Sequence, residues 1–363
     1  MIITFILNFE GVTFMQEVYL DNAATTRHKP ESVKNSIINY FDKIGCSPGR
    51  GGYECSLKAG RIILEGRSLL AELFNVPKPE QIIFTHNITH SLNIAIKGIL
   101  EKGDHVITTS MEHNSVLRPL NYLERKKNLK VDYIQCDCQG RVDINKIEEK
   151  INDKTKMIIV THASNVTGTL MPIYELGKIA KKHNLLYTID TAQTAGIYEI
   201  DFIESNVDIL AFTGHKSLMG PTGTGGFAIS ERAAEMMDPL IEGGTGSKSN
   251  LINQPEFLPD KFESGTLNTA GIAGLNAGVK FILDKGLEKI RSHELYLAKK
   301  FLKGLEQIEK IKLYGPGNIE QQIPTFSISI KGKDMGQLSF VLDDKYGIMT
   351  RSGLHCAPLT HKT

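Results

Sequence analysis

From about residue 60 to residue 230, stretches with apolar residues at helical spacing alternate with short continuous apolar runs that end in small or polar residues. GRIILEGRSLLAELFNV predicts an amphipathic helix, QIIFTHN a strand and HSLNIAIKGIL the helix that follows. The alternation continues with HVITTS as a strand, a loop at MEHNS, KVDYIQCD as a strand and a helix over INKIEEKI. KMIIVTHAS (strand), YELGKIAKKHN (helix), LLYTID and VDILAFTGHK (strands) complete it. Apolar strands separated by helices predict an α/β fold with a mostly parallel sheet covered on both faces. Ligands of such sheets sit beyond the carboxyl ends of the strands. That directs attention to residues 85–87, 110–114, 162–165, 190–193 and 213–216.

The pattern then changes. Residues 243–268, rich in Gly, Ser, Asn and Pro, predict a long functional loop. Residues 270–310 are strongly helical, and from about 311 onward the sequence predicts strands and loops around QIPTFSISIKG, a second and smaller α+β domain. A chain of 363 residues suits two packed domains.

Charge and cysteine content narrow the partners. Lys+Arg at 42 against Asp+Glu at 41 leaves no global field to hold nucleic acid or an anionic membrane. The N-terminal run MIITFILNFEGVTF lacks a basic flank and a cleavage site and is too short to span a bilayer, so it predicts a fraying strand or an upstream extension. Five cysteines at irregular spacing predict no disulfide framework, no metal site and a reducing, cytoplasmic location; Cys46, Cys55, Cys136 and Cys138 are expected to be small buried hydrophobes.

The richest stretch for chemistry runs from Thr213 through Gly214, His215 and Lys216 to Gly226. A lysine after an apolar strand, beside a histidine and a glycine-rich loop, is placed to act as a neutral nucleophile. It is not a phosphate-binding Walker loop, because His215 rather than Gly precedes Lys216 and position 210 is Leu. A surface lysine beside a glycine turn remains the alternative from this stretch alone. LLYTID ends on Asp190, and a carboxylate and a lysine at two strand ends could hold the two ends of a flat heterocycle such as pyridoxal phosphate. A helix N-cap is the alternative role for Asp190.

Four separated motifs in order now carry a resemblance: residues 19–25 (YLDNAAT), Asp190 with Gln193, the segment around Lys216 with its glycine loop, and residues 351–358 (RSGLHCAP). From about residue 18 to the end, the chain resembles the cysteine desulfurases of the class V aminotransferase superfamily, in the group that includes SufS-type desulfurases and selenocysteine lyases. The resemblance implies the fold type I architecture of pyridoxal-phosphate enzymes, with a seven-stranded large domain. The expected divisions are an N-terminal extension over 1–17, a segment over 18–30 that joins the small domain, a large cofactor domain over 31–268 and a small domain over 269–363. Relatives continue with a further strand and helix carrying another arginine, so the small domain is expected to be truncated.

Residue by residue, the resemblance implies that Lys216 bonds to the cofactor aldehyde, Asp190 pairs with the pyridinium nitrogen and Gln193 donates to the ring oxygen. His113 would stack on the ring and move protons, its alternative being a solvated loop histidine. Asn165 would meet both substrate and cofactor. Thr89 and His90, at a helix start, would hold the phosphate with Thr213 and His215. The family reads Thr-Thr-Glu where this chain has Ile88-Thr89-His90, and Ser at position 213, so the phosphate contacts are expected to differ in detail. Thr266 would reach the phosphate of a neighbouring subunit, which implies a homodimer with shared active sites.

Cys356 is expected to accept sulfur, its thiolate favoured by His355 and Arg351 nearby in the sequence. Arg351 would clamp the substrate carboxylate, with a surface salt bridge as its alternative. The implied reaction converts L-cysteine to L-alanine and passes sulfur through a Cys356 persulfide to an acceptor protein serving iron–sulfur cluster assembly. The alternatives are a selenocysteine lyase acting on L-selenocysteine, a class V aminotransferase or epimerase, and an inactive truncated scaffold.

Overall fold

The computed structural model describes residues 17–49 and 51–363, together with the backbone of 8–9 and 12–13. The latter form β1 (Asn8–Phe9) and β2 (Val12–Thr13), paired antiparallel; the rest of the expected N-terminal extension up to residue 16 lies outside the described residues. β3 (Val18–Tyr19) precedes α1 (Glu31–Lys43) and α2 (Glu54–Phe74). The alternating region follows as β4 (Ile82–Thr85), α3 (Ile88–Ile99), β5 (His105–Thr109), α4 (Asn114–Lys127), β6 (Lys130–Ile134) and α5 (Ile144–Glu149). It continues with β7 (Thr155–Thr161), α6 (Ile173–Lys182), β8 (Leu186–Asp190), β9 (Ile209–Thr213), β10 (Gly225–Ile229) and α7 (Glu231–Met236).

Strands β4 to β10 form one seven-stranded sheet in the order β4-β10-β9-β8-β7-β5-β6. β10 is antiparallel to both its neighbours, and the other six strands share one direction. Alternate side chains explain why these strands read as continuous apolar runs. Ile82, Phe84, Ile107, Ile158, Tyr187, Leu210 and Phe212 enter a core shared with α2, α6 and the later helix at Thr269–Lys285. Ile83, Val106, Met157, Ile159, Leu186 and Ile209 enter a second core on the opposite face, under α3 and α4. β10 has the sequence GGFAI, and a Cβ on Gly226 would collide with the Ile83 carbonyl and the Phe212 ring. Close packing of neighbours therefore demands glycine in a strand whose hydrophobic pattern is weak.

As the sequence predicts, no strand or long helix interrupts residues 237–268. Beyond them come α8 (Thr269–Lys285), packed on α1 and α2, and α9 (Leu287–Leu305). β11 (Ile311–Tyr314) and β12 (Ser327–Ile330) pair antiparallel. α10 (Met335–Tyr346) corrects the expectation of strands and loops alone after 311. It is capped by the Asp334 side chain and ended by Gly347 at φ 65, but it buries none of its residues, so no apolar stripe announces it. β13 (Ile348–Met349) then pairs parallel with β3, bringing the segment before α1 against the one that follows α10.

The cysteine expectation needs correction. Cys46 and Cys55 are joined in a disulfide between the end of α1 and the start of α2, and Cys138 is exposed; of the four, only Cys136 is a free buried thiol. Burial pushes the Cys136 thiol up to about 11. Spacing in sequence did not disclose that the α1–α2 loop returns on itself. Among the described residues no helix is long and apolar enough to cross a membrane, and no cluster of three or more His, Cys, Asp or Glu could hold a metal ion.

Candidate active site

β9 ends on Thr213, and the chain turns through Gly214 and His215 to Lys216. Gly214 is required there because a Cβ would overlap the Thr224 hydroxyl. The turn is clamped by the segment after β3. Thr25 Oγ1 and Thr26 N–H each donate to the His215 carbonyl at 3.1 Å, and Thr26 Oγ1 donates to the Lys216 carbonyl at 2.9 Å. Burial holds the Lys216 amine below its usual pKa, with Asp190 opposing, so part of the cost of a neutral amine is already met by the fold.

Asp190 ends β8, the strand beside β9, and is 3% exposed. Its Oδ1 accepts the Ala192 N–H at 2.9 Å, and no helix starts at this point, which removes the N-cap alternative. Burial raises its pKa, while that hydrogen bond, His113 and Lys216 hold it down. The carboxylate thus depends on nearby positive charge. Gln193 donates from Nε2 to the Ala23 carbonyl at 3.1 Å, tying the Asp190 turn to the N-terminal segment.

His113 caps α4 rather than facing solvent. Its Nδ1 accepts the Ser115 N–H at 3.1 Å, so in the neutral ring the proton sits on Nε2. Burial lowers its pKa and Asp190 opposes this. Behind it, Glu112 is fully buried; its Oε1 accepts from Thr109 Oγ1 at 2.6 Å and from the Thr161 N–H at 3.1 Å, while Oε2 has no partner. Burial pushes this carboxyl up to about 8.

Two atoms on the lysine turn await a ligand: Thr213 Oγ1 and His215 Nδ1 are buried without a hydrogen-bond partner. Burial and then Lys216 lower the His215 pKa to about 4. An unpartnered hydroxyl and imidazole beside the lysine fit a phosphate-bearing cofactor, since buried polar atoms without partners are costly. At the start of α3, Thr89 Oγ1 lies 2.7 Å from Ser115 Oγ, near the His113 cap. In its ring His90 resembles Thr213 and His215, since its two nitrogens are buried without a hydrogen-bond partner. Its N–H is taken by the Asn87 cap at 3.0 Å, and its ring stacks on His86 at 5.3 Å in a cavity also lined by Thr266. Thr213, His215 and Lys216 do not line that cavity.

The last part of the site comes from beyond β13. Cys356 is exposed on a loop with His355 at φ 48 and Cys356 at φ 58, both left-handed, a conformation non-glycine residues adopt at some cost. The loop is docked at two points: the Asn114 N–H donates to the Cys356 carbonyl at 2.7 Å, and Asn165 Nδ2 donates to the His355 carbonyl at 2.6 Å. Arg351 is paired with Asp21. Asp21, Thr25, Thr26 and Glu112 are contributors that motif reading passed over as individuals, though the first three lie within the YLDNAAT motif or next to it.

A lysine and an aspartate at adjacent strand ends, each bearing on the other's protonation, define with the unpartnered Thr213 and His215 a pyridoxal-phosphate enzyme of the large α/β type. The chain belongs to the aminotransferase class-V family, whose model matches residues 18–363. A probable cysteine desulfurase of Pyrococcus abyssi is 36% identical over 357 residues, covering 96% of this chain and 87% of that protein. Another, of Methanothermobacter thermautotrophicus, is 35% identical over 345 residues, with 94% and 84% covered. An apo structure of the cysteine desulfurase from Thermococcus onnurineus superposes with a TM-score of 0.90 at 35% identity, covering 95% of this chain and 86% of that one.

Proposed function

We propose that this chain is a pyridoxal-phosphate-dependent cysteine desulfurase that releases L-alanine from L-cysteine and retains the sulfur on Cys356 as a persulfide. The observation that carries the reading is the exposed Cys356 thiol, held by Asn114 and Asn165 on a loop whose charge bears on Lys216. When bound, pyridoxal phosphate supplies the electron sink that acidifies the substrate α-carbon. Lys216 would hold the cofactor through its aldehyde and would serve as the base for the substrate α-proton. Asp190 would pair with the pyridinium nitrogen, Gln193 would donate to the ring oxygen, and His113 would stack on the ring. Thr89, His90, Thr213 and His215 hold the phosphate. Asn165 orients substrate and cofactor, and Arg351 binds the substrate carboxylate. Cys356, as thiolate, would form a sulfur–sulfur bond with the substrate Sγ as the carbon–sulfur bond breaks; the electron pair of that bond ends on the β-carbon, which takes up a proton to become the methyl group of alanine.

The wider assignments belong to the same reading. Thr266 completes the phosphate site of a neighbouring subunit in a homodimer; the exposed Leu240, Ile241, Leu251, Ile252 and Phe257 of the preceding segment support such a contact. A large and a small domain share the site; the packing of α8 on α1, α2 and the sheet core supports placing the boundary expected at 268/269 after α8 instead, and the β3–β13 pairing supports assigning 18–30 to the small domain. Persulfide sulfur passes to an acceptor protein for iron–sulfur cluster assembly. A cytoplasmic location is supported by the free thiols of Cys136, Cys138 and Cys356, with the Cys46–Cys55 bond as the contrary observation.

The test uses the purified protein loaded with cofactor. L-cysteine should yield equal amounts of L-alanine and transferable sulfur, Cys356→Ala should abolish both, and Lys216→Ala should lose the near-visible absorbance of the lysine-bound cofactor. Undiminished sulfur release by Cys356→Ala refutes the nucleophile assignment.

A further inference from the structure

The turn that carries Lys216 is also held by a cation. Lys29, immediately before the Pro30 cap of α1, donates from Nζ to the Thr26 carbonyl at 2.8 Å and to the His215 carbonyl at 3.3 Å. The His215 carbonyl thus takes three donors, since Thr25 Oγ1 and the Thr26 N–H already reach it. An ammonium carries three N–H donors. Among the described residues Lys29 has no partner for the third and no carboxylate within ion-pair distance. Burial lowers its pKa, as expected of a cation that gives up water without gaining a counter-charge.

The same turn offers Thr213 Oγ1 and His215 Nδ1, both buried and unpartnered. Every side chain assigned to the cofactor phosphate is neutral. Thr89 and Thr213 are hydroxyls, burial and then Lys216 bring the His215 imidazole down to about 4, and burial and then His86 lower that of His90. A phosphate monoester carries about −1.5 to −2 charges at neutral pH, and neutral donors alone leave such a charge uncompensated where water is scarce. Lys216 and Lys29 are the two cations that bear on His215, and Lys216 is committed to the cofactor aldehyde. We propose that Lys29 is the fixed positive charge of the phosphate site, a positioning residue that acts through the His215 carbonyl and selects the phosphorylated form of the cofactor. This rests on the reading of the lysine turn as the pyridoxal-phosphate site.

The experiment titrates the full chain, stripped of cofactor, with pyridoxal phosphate and with pyridoxal, which has the same ring and aldehyde but no phosphate. Binding is read from the near-visible absorbance that Lys216→Ala lacks. Lys29→Gln keeps a donor for the two carbonyls but removes the charge, and Lys29→Met serves as a second neutral variant should the first fold poorly. Either is expected to bind pyridoxal phosphate about tenfold more weakly while pyridoxal binding stays as in the parent, and Lys29→Arg to stay within about threefold of the parent for both ligands. Unchanged pyridoxal-phosphate affinity in the neutral variants overturns the charge role. So does an equal loss for both ligands, the result of a lysine that only props the turn, or a Lys29→Arg variant as weak as the neutral ones. If the parent gives no Lys216-dependent absorbance with either ligand, the cofactor reading fails and takes this proposal with it. If the parent binds pyridoxal phosphate and the neutral variants match it, the role of Lys29 alone fails.

Discussion

Asn165 donates its side-chain N–H to the His355 main-chain carbonyl at 2.6 Å, joining the turn after β7 to the loop that carries Cys356. One side chain thereby couples the floor of the site to the position of the thiol. The other tie, from the Asn114 N–H to the Cys356 carbonyl, is a backbone bond that no substitution at Asn165 removes. Asn165→Ala should therefore loosen the loop without detaching it. Misplacing a nucleophile by about 1 Å costs up to about a hundredfold, so sulfur release from L-cysteine should fall by about ten- to a hundredfold. The lysine-bound cofactor absorbance should persist, and Cys356 should be alkylated faster by iodoacetamide. An unchanged alkylation rate would assign the docking to Asn114 alone.

Glu112 gives the fold a pH dependence of definite sign. Its carboxyl is raised from 4.5 to about 8 by burial, against the hydrogen bonds from Thr109 and Thr161. The folded state therefore holds a proton that the unfolded state releases above about pH 4.5. Its stabilising contribution is complete below that pH and is lost as pH rises towards 8, with a limiting slope of about 1.4 kcal/mol per pH unit. Urea unfolding of the parent and Glu112→Gln at intervals from pH 5 to 8 should show the parent losing stability relative to the variant. Parallel curves would mean that Glu112 is ionised throughout.

Gly214 tests how tightly the lysine turn is built. A methyl at this position meets the Thr224 hydroxyl, which is itself fixed by donating to the Pro221 carbonyl at 2.7 Å. Overpacking of this kind costs about 1–3 kcal/mol. Gly214→Ala should lower the thermal midpoint and, by displacing Lys216, slow formation of the lysine-bound absorbance when cofactor is added. The pair Gly214→Ala with Thr224→Ser leaves the hydroxyl in place and should not recover; adding Thr224→Ala instead should recover part of the loss.

The sheet was legible because strands buried on both faces leave continuous apolar runs, and the residues after them form the site. Asp190 ends a strand of this sheet, and Lys216, Gln193, His113 and Asn165 follow strands of it. β10 was not legible, since close neighbours require Gly225 and Gly226 where an apolar pair would mark a strand. α10 was hidden for the opposite reason, an absence of buried residues. The Cys46–Cys55 bond depends on a loop path that spacing does not encode. His90 sits at the helix start as expected, with its ring stacked on His86. Asp21 escaped notice as an individual because its partner is 330 residues away.

Arg67 and Glu263 form a buried pair that holds the segment leading to Thr266. Arg67 Nη1 reaches Glu263 Oε1 at 2.8 Å and Nη2 reaches Oε2 at 2.5 Å, with both side chains less than a tenth exposed. Arg67 Nη1 also donates to the Ile82 carbonyl, and the Phe84 N–H donates to Glu263 Oε1 at 2.6 Å. Removing one member leaves the other charge buried, which costs about 3–5 kcal/mol. Glu263→Gln should thus shift the guanidinium unfolding midpoint down sharply. Arg67→Met with Glu263→Leu should fall short of the sum of the single losses, because no charge is stranded, but should not reach neutrality while the Ile82 carbonyl and the Phe84 N–H lose their partners. Glu263 lies three residues before Thr266, so the same single variant should also release pyridoxal phosphate faster on dialysis, if Thr266 serves the phosphate of a neighbouring subunit. A stability loss with unchanged cofactor retention would separate the ion pair from that role.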